Sequence, residues 1–360
     1  MRLLPFVLVR WLARPLTPLR ALVAGQWLRV SEVDGVLAWL HPALRLNRVF
    51  ARVEGRRWVA EDMLALRLRC NGNARGWQAG QHVQVFLTLD GVRHSRSYSL
   101  TRVAPGGHVE LAIRRQPGGR LSNQLLDHLS IGDVIELGQA QGDLQWPEQA
   151  QGVLLLAAGS GVTPLLGLLR EALARGITAP ITLLHYVREH GQRAFVDELQ
   201  QLMTHYPNLI VRWALTGASG RERDGRLSAC HLEGLTADHA LACGPAGFVQ
   251  CATQLWPGAL QSEAFTAPTR TSAVGSSVQL RFARSRQQAQ GDSARSLLEQ
   301  AEDAGLRPAH GCRQGICASC TCTLLAGTVR DLRSGALFSE PGQPIRLCIS
   351  APHADVEIDL

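Results

Sequence analysis

The sequence predicts three folded domains of different classes: an antiparallel β-barrel, an α/β domain built on a parallel sheet, and a compact α+β module. The length of 360 residues suggests two or three domains at about 150 residues each. Short strand-like segments fill the first part and strands alternate with helices in the second. The pattern changes again after a small, polar segment at 266–277, which predicts a linker. We therefore expect domains at 43–147, 148–265 and 278–360.

Six short strands separated by Gly-, Asn- and Pro-containing turns predict the barrel, and one helical segment interrupts them at 121–129. In the next domain an apolar strand, a glycine-rich turn and a helix begin a strand–helix alternation, which predicts a parallel sheet covered by helices. The last module is expected to contain a strand at 278–285 and a helix opened by Ser293. It is expected to end in a pair of strands around 346–350 and 355–360.

The composition is that of a folded globular protein. Hydrophobic residues make up 46% and charged residues 19%, which excludes a mainly disordered chain, and 35 glycines without a triplet repeat exclude collagen. All 37 basic residues are arginine, and the net charge is +7. Residues 1–50 hold seven arginines against two acidic residues, a local charge of +5. The rest of the chain carries only +2, so no nucleic-acid partner is expected.

A basic extension at 1–42 precedes the barrel. Its apolar run Leu3–Val9 is too short to span a bilayer, which takes about 20 helical residues, and arginines interrupt any signal-peptide core. The extension also carries Trp11, Trp27 and Trp39. Two interpretations remain open: a helix lying on an anionic membrane, or a poorly ordered or locally packed extension.

The C-terminal cysteines indicate a metal cluster. Four of them follow the pattern C-x4-C-x2-C…C, the plant-type spacing of a [2Fe–2S] cluster: Cys312, Cys317, Cys320 and Cys348. Gly311 and Gly315 let the backbone fold closely around such a cluster. A zinc site is the alternative, although zinc favours paired C-x2-C units and only one is present. Cys322 is expected to be a packed core thiol.

Residues 278–360 resemble a plant-type ferredoxin domain of the β-grasp fold, and residues 48–265 resemble the ferredoxin–NADP reductase superfamily. The order of flavin domain, nicotinamide domain and C-terminal ferredoxin is similar to that of iron–sulfur flavoprotein reductases, which serve oxygenases and desaturases. The resemblance implies an oxidoreductase that passes electrons from NADPH or NADH through a flavin and a [2Fe–2S] cluster to a protein acceptor. Because a hydride carries two electrons and the cluster accepts one, the flavin would be the converter.

Two motifs in the barrel indicate flavin binding. HSRSYSL contains R-x-Y-S, in which an arginine can hold a diphosphate, an aromatic ring can pack on the flavin and a hydroxyl can bond to its N5 atom. The resemblance assigns these roles to Arg96, Tyr98 and Ser99, with Ser97 between them. GGRLSNQL places four residues at a helix N-terminus, where free N–H groups favour phosphate: Gly119, Arg120, Leu121 and Ser122.

The flavin is expected to be FAD. The segments GRLS and GQAQGDLQWP resemble those of FAD-binding members, whereas a related group with the same domain order uses FMN. An alternative for Ser122 is that it is a plain N-cap without a ligand.

The turn GSGVTP indicates a pyrophosphate site, because a strand feeds a glycine turn and a helix start. Its residues are Gly159, Gly161, Thr163 and Pro164. Thr163 is expected to cap the helix, and Pro164 is expected at the first helical position.

Two later segments complete the nicotinamide region. ACGPAGF contains Cys243, Gly244 and Pro245 at a strand end, and the resemblance places the cysteine beside the nicotinamide C4 atom. A buried structural thiol is the alternative. Glu263 and Phe265 in SEAF match the E-x-F that lies near the flavin in this superfamily. With Ser99, the residues Cys243 and Glu263 form the predicted catalytic set.

The residues after the strand at 181–187 bear on the choice of dinucleotide. Arg188 and Arg193 can pair with the 2′-phosphate of NADPH, whereas Glu189 could bond to the ribose hydroxyl of NADH. All three could also be solvated charges. NADPH is the expected cofactor.

The protein acceptor is expected to be a membrane fatty-acid desaturase, because the opening HPALRLNRVFARV and the basic extension resemble such reductases and suit a membrane. A soluble oxygenase or another redox enzyme is the alternative, and a non-enzymatic scaffold is a third. An odd number of cysteines in a long chain favours a reducing compartment. We therefore expect a cytoplasmic protein at the inner face of the membrane.

Overall fold

The computed structural model describes residues 5–12, 16–217, 225–265, 275–311, 313, 315 and 318–360. The chain divides into two compact units, Met1–Glu263 and Ala264–Leu360. The first unit contains the barrel and the parallel-sheet domain, and the second contains the α+β module. Of the predicted linker, residues 266–274 lie outside the described residues.

Three helices precede the barrel: α1 Phe6–Leu12, α2 Thr17–Ala24 and α3 Val30–Leu40. They share one apolar core, in which Val9 and Leu37 are buried, and Phe50 and Val134 of the barrel pack against it. The described part of the extension is therefore locally packed. None of the helices in the described ranges combines the length and apolarity that crossing a bilayer requires.

The barrel has six strands: β1 Val49–Ala60, β2 Met63–Cys70, β3 His82–Leu89, β4 Val92–Ala104, β5 His108–Arg114 and β6 Val134–Leu137. They close in the order β1-β2-β5-β4-β3-β6, and neighbouring strands are antiparallel. Alternate residues such as Leu64, Leu66 and Leu68 fill the interior. Helix α4, Arg120–Asp127, lies against β4 and β5. The predicted barrel is confirmed.

The second domain is a sheet of five strands: β7 Val153–Ala158, β8 Ile181–Val187, β9 Leu209–Leu215, β10 His239–Gly244 and β11 Ala259–Ala264. The order is β11-β10-β7-β8-β9, and β10, β7, β8 and β9 are parallel. The helices that pack on the sheet are α5 Val162–Ala174, α6 Val196–His205 and α7 Ala246–Leu255. Strand β7 is apolar and buried along almost its whole length, as a central parallel strand requires. The predicted fold class is confirmed here as well.

Helix α5 joins the sheet to the barrel. A Cβ at Gly167 would lie 2.4 Å from the Leu100 carbonyl oxygen, so only glycine permits this approach to β4. The Arg170 side chain, only 8% exposed, forms ion pairs of 2.8 Å with Glu110 and 2.7 Å with Glu198. Because Glu110 lies on β5, its pair with Arg170 connects the sheet domain to the barrel, and loss of one partner would leave a buried charge unpaired.

The second unit has eight strands: β12 Ser277–Phe282, β13 Gln287–Asp292, β14 Thr321–Ala326, β15 Val329–Asp331, β16 Leu337–Phe338, β17 Pro344–Arg346, β18 Ser350–Pro352 and β19 Val356–Ile358, all within the described residues. They form a five-stranded sheet, β13-β12-β19-β14-β17, and a three-stranded sheet, β16-β15-β18. Strands β12 and β19 are parallel neighbours, and helix α8, Leu297–Asp303, follows the β12–β13 hairpin. The arrangement is the expected α+β module.

Two details of this unit differ from the sequence prediction. Helix α8 begins at Leu297, and Ser296 caps it by accepting a hydrogen bond from the Glu299 N–H at 3.3 Å. The Ser293 hydroxyl instead accepts from the Ser276 N–H at 2.8 Å, beside the hairpin. The strands around 346–350 and 355–360 do not pair with each other in the described structure, because β18 pairs with β15 while β19 lies between β12 and β14.

Candidate functional site

The R-x-Y-S motif lies on β4, where it pairs with β3. Arg96 is exposed and forms no ion pair within the described ranges, so its guanidinium is open to an anionic ligand. Tyr98 packs against the barrel core, and burial raises the pKa of its phenol. Ser99 is buried and stands opposite His82 in the strand register. One strand thus offers a cation, an aromatic ring and a hydroxyl.

Two buried hydroxyl groups in the flavin motifs have no hydrogen-bond partner among the described residues: those of Ser97 and Ser122. A buried hydroxyl without a partner is costly, so it indicates a position where a ligand supplies one. The N-cap of α4 is Gly119, and a Cβ there would lie 2.4 Å from Ser122 Oγ. Ser122 is the third helical residue, which excludes the alternative that it is a plain N-cap.

The first turn of α4 suits a phosphate group. The helix begins at Arg120, and the first N–H groups of a helix have no intrahelical acceptor. The exposed Arg120 guanidinium lies 2.6 Å from Asp90, whereas Leu121 is buried in the barrel core. Together with the open Arg96 and the two unpartnered hydroxyls, this turn fits a flavin that carries a diphosphate.

The glycine turn between β7 and α5 is held in close contact with β10. Gly159 has a φ of +54°, which favours glycine. A Cβ at Gly161 would lie 1.9 Å from the Cys243 carbonyl oxygen. The turn can therefore approach the end of β10 only because it lacks a side chain at this position.

The start of α5 differs in detail from the expectation. The Thr163 hydroxyl donates to the Ser160 carbonyl oxygen at 2.9 Å and does not cap the helix. Pro164 is the third helical residue, because α5 begins at Val162. The position still suits proline, since the first four N–H groups of a helix have no intrahelical acceptor.

Two residues that the sequence did not indicate lie against this turn, and one of them bonds to it. His185 of β8 is fully buried, and its Nε2 lies 3.0 Å from the Gly159 carbonyl oxygen. Burial lowers the pKa of His185 to about 4, so near pH 7 the ring is neutral and donates from Nε2. A Cβ at Gly159 would lie 2.7 Å from the Arg114 guanidinium, which also donates to Asp62 at 2.7 Å. These roles depend on contacts between strands, so no motif could mark them.

The three predicted catalytic residues belong to one buried series of neighbours that includes His82, which the sequence also did not single out. Cys243 is fully buried, and its burial, with the nearby Glu263 carboxylate, raises the pKa of the thiol. Glu263 of β11 is buried too, and its Oε1 lies 3.1 Å from His82 Nδ1. His82 is in turn the strand partner of Ser99. The only available signal was a histidine at the start of an apolar strand.

Three further predicted cofactor residues lie at the ends of β10 and β11. Gly244 ends β10, where a Cβ would lie 2.8 Å from the Ala158 Cβ at the end of β7. Pro245 is the N-cap of α7. The carboxyl ends of neighbouring parallel strands are where open α/β sheets bind ligands. Phe265 follows β11 directly and is half-buried.

Both arginines proposed for the 2′-phosphate are open to an anion. Arg188 is exposed directly after β8, as is Glu189. The Arg193 guanidinium lies 5.8 Å from the centroid of the Trp213 ring, and its Nε donates to the His190 carbonyl oxygen at 3.2 Å. Within the described ranges neither arginine forms an ion pair.

Two of the four predicted cluster ligands, Cys312 and Cys317, lie outside the described residues. Cys320 and Cys348 are buried in the core of the second unit. The Gly315 N–H donates to Cys348 Sγ at 3.2 Å, and hydrogen bonds to ligand sulfurs are one of the factors that set a cluster's reduction potential. No group of three metal-ligating side chains occurs in the part of the chain that the structure describes. The ligand set therefore stays a prediction.

The described positions of the cysteine loop have an unusual backbone. Arg313, Gly315 and Ala318 all have positive φ, at +57°, +76° and +53°. Positive φ is uncommon for residues other than glycine, so Arg313 and Ala318 mark a strained backbone at the described positions. Cys322 packs in the core and lies 3.3 Å from the Asp359 carbonyl oxygen, as expected for a structural thiol.

Comparison with known proteins finds the same three domains. The oxidoreductase FAD-binding domain family matches residues 51–146, the oxidoreductase NAD-binding domain family matches 155–254, and the 2Fe-2S iron-sulfur cluster binding domain family matches 281–353. Fold and site together define an oxidoreductase that uses a flavin, a nicotinamide dinucleotide and an iron–sulfur cluster.

The chain is 32% identical over 338 residues to the NADPH oxidoreductase of Mycobacterium tuberculosis, covering 91% of this chain and 88% of that protein. It is 32% identical over 284 residues to the heme-dependent oxidative N-demethylase beta subunit of Ectopseudomonas mendocina, covering 76% and 86%. The structure of phthalate dioxygenase reductase shares the fold, with a TM-score of 0.59 and 24% identity over 86% of this chain and 97% of that one. The chain belongs to the iron–sulfur flavoprotein reductases of the ferredoxin–NADP reductase superfamily. It binds FAD, NAD(P)H and a [2Fe–2S] cluster and transfers electrons between them.

Proposed function

We propose that this reductase takes electrons from NADPH and delivers them to a membrane-bound fatty-acid desaturase. One observation supports the proposed electron transfer from NADPH to the flavin: the buried neighbours Cys243, Glu263, His82 and Ser99 form a continuous series. This series joins the nucleotide-binding sheet to the strand that holds the flavin motif. FAD, when bound, accepts a hydride and releases electrons singly, which a one-electron cluster requires. We further propose the domain boundaries 1–42, 43–147, 148–265, 266–277 and 278–360.

In this proposal the barrel binds FAD. Arg96 and the first turn of α4 hold its diphosphate, and Tyr98 packs on its ring system. The hydroxyls of Ser97, Ser99 and Ser122 supply hydrogen bonds. Because two of these hydroxyls are buried without a partner among the described residues, binding would remove an energetic cost that the protein otherwise carries.

The sheet domain binds the dinucleotide. The turn at 159–161 holds the pyrophosphate, and Gly244 and Pro245 leave room for the nicotinamide. A thiol with a raised pKa stays protonated at pH 7, so Cys243 presents a small neutral group there and not a nucleophile. Glu263 and His82 are both buried, so bulk water is excluded from their part of this region.

The preference for NADPH is supported by Arg188 and Arg193, which lie after the carboxyl end of β8 without ion-pair partners in the described ranges. A 2′-phosphate would supply the missing anion. The M. tuberculosis relative is named an NADPH oxidoreductase, which agrees with this choice. NADH remains the alternative because Glu189 lies between the two arginines.

The proposed acceptor rests on the N-terminal helices. Their exposed tryptophans and the local charge of +5 suit a cytoplasmic protein that associates with the inner face of the membrane, where a desaturase would lie. A soluble oxygenase is the second candidate, and the name of the N-demethylase relative favours it.

The electron path is tested with Cys348→Ser, and Cys322→Ser is the matched control in the same core. Loss of a cluster ligand should remove the cluster from the visible and EPR spectra and lower NADPH-driven cytochrome c reduction steeply. Ferricyanide reduction should persist, because ferricyanide can take electrons from the flavin. If Cys322→Ser removed the cluster while Cys348→Ser kept it, the ligand assignment would be wrong.

The acceptor is tested by NADPH-driven turnover with a purified desaturase in vesicles and with a soluble dioxygenase. The proposal expects a higher kcat/KM for the desaturase. A dioxygenase reduced efficiently while the desaturase receives no electrons would establish the second candidate instead.

A further inference from the structure

The first forty residues expose an unusual amount of apolar surface. Fourteen large hydrophobic side chains are exposed in the described ranges, and nine of them lie between residues 7 and 39. Trp11, Trp27 and Trp39 are 70%, 81% and 70% exposed. Single exposed hydrophobic residues are ordinary, but such a concentration indicates a surface that binds another protein or a membrane.

The helices α1 and α3 each expose large apolar side chains outside the shared core. On α1, Phe6 and Val9 are buried in the shared core, while Val7, Leu8 and Trp11 face outward. The apolar side chains of a helix normally pack against a partner. The inner face of α1 has its partner in the other helices, so its outer face lacks one among the described residues.

On α3 the same division holds, with Val33 and Leu37 in the core and Val36 and Trp39 outside, 66% and 70% exposed. The turn between α2 and α3 adds Trp27 and Leu28 to the exposed set. Helix α1, the turn before α3 and helix α3 thus all contribute exposed apolar side chains.

The sequence around these residues carries more positive than negative charge, and one of its arginines, Arg48, is paired with Glu136 of the barrel. Residues 1–50 contain seven arginines and two acidic residues, Glu32 and Asp34. Asp34 is buried and accepts a hydrogen bond from the Leu46 N–H at 2.7 Å, so only Glu32 offers an exposed carboxylate. Arg29 is exposed within two positions of Trp27. A second copy of this chain would bring like charges together across a symmetric contact, whereas anionic lipids would neutralise them.

We propose that these residues form a membrane-docking face that binds the interface of an anionic bilayer. The face consists of Val7, Leu8, Trp11, Leu22, Trp27, Leu28, Val30, Val36 and Trp39. Its indole rings lie at the level of the lipid headgroups, and neighbouring arginines pair with lipid phosphates. The inference rests on the membrane location proposed above and adds the surface and the lipid chemistry.

The test is flotation of the full-length holoprotein with vesicles of phosphatidylcholine, either alone or with added phosphatidylglycerol. Wild type should float with the anionic vesicles, and added salt should reduce binding. The double variant Trp27→Ser, Trp39→Ser should bind about tenfold more weakly, equal to about 1.4 kcal/mol. Trp58→Ser is the matched control, because Trp58 is 51% exposed on β1 and should float like wild type.

The proposal is overturned if wild type does not float, if it floats equally with both lipid mixtures, or if the double variant floats like wild type. A dimer in sedimentation velocity that the double variant dissociates, without flotation, would identify a second copy as the occupant. NADPH–ferricyanide activity is measured for every variant and should not change. Wild type without this activity would count against the proposed function, whereas its flotation would still test the docking face.

Discussion

Replacing Gly161 with alanine is expected to weaken the use of NADPH while FAD stays bound. The new Cβ would lie 1.9 Å from the Cys243 carbonyl oxygen, whereas ordinary contact begins at 3.4 Å. Cys243 cannot yield, because it pairs with Ala157 inside the parallel sheet. The glycine turn must therefore move by about 1.5 Å away from the end of β10.

The size of the effect follows from that displacement. A misplacement of about 1 Å can cost about 100-fold in rate, so we expect kcat/KM for NADPH to fall about 100-fold, or about 2.7 kcal/mol. Overpacking of this kind also lowers the free energy of unfolding by about 1–3 kcal/mol. The flavin motifs lie on β4 and α4 and do not change, so the FAD content should equal that of wild type.

Anaerobic stopped-flow reduction of the flavin by NADPH measures both the Kd and the limiting rate, and dithionite reduction shows that the flavin itself is intact. Gly35→Ala is the matched control, because nothing lies within 4 Å of a Cβ at this helical position. That variant should be unchanged or slightly more stable, since alanine favours helix. A Gly161→Ala protein with kcat/KM within about threefold of wild type would refute the argument from close approach.

Three further outcomes are expected. Cys243→Ala should slow flavin reduction by NADPH with little loss of FAD, and stopped-flow rates equal to wild type would make Cys243 a structural thiol. The double variant Arg188→Ala, Arg193→Ala should lower the ratio of kcat/KM for NADPH over NADH about tenfold or more, because charge-assisted phosphate pairs contribute about 1.5–3 kcal/mol; an unchanged ratio would place the phosphate elsewhere. His185 in the unfolded chain takes up a proton below about pH 6.5, but the buried ring does so only near pH 4, so the free energy of unfolding should fall by about 3 kcal/mol as the pH drops through this window. His185→Gln keeps a donor near the Nε2 position and should lose this part of the pH dependence. Denaturant titrations at several pH values measure the free energy of unfolding of both proteins. If that free energy changed equally with pH in wild type and variant, the assignment to His185 would be contradicted.

The sequence by itself determined the order and class of the three domains. Each of these predictions depends on residues that are close in the chain: two-residue alternation for the barrel strands, a glycine turn between an apolar strand and a helix, and the spacing of the cysteines. Such patterns reflect local backbone preferences and the burial of one face of an element, and both depend only on residues that are close in the chain. The family resemblance added named roles for Ser99, Cys243 and Glu263, and the structure brings these residues together, although their chemical roles remain predictions.

Only the tertiary structure decided which side chains support the sites. His82 reaches Glu263, and His185 reaches Gly159, across separate strands, and neither pair is encoded in a spacing. The local rules also failed where several residues could fill one role: Ser296 and not Ser293 caps α8, because the chain enters the helix at Leu297. The exposure of the N-terminal tryptophans likewise depends on tertiary structure, because the packing of the three helices against one another decides which side chains face outward. Contacts between distant residues depend on how whole elements pack, and a single sequence contains that information only through the fold.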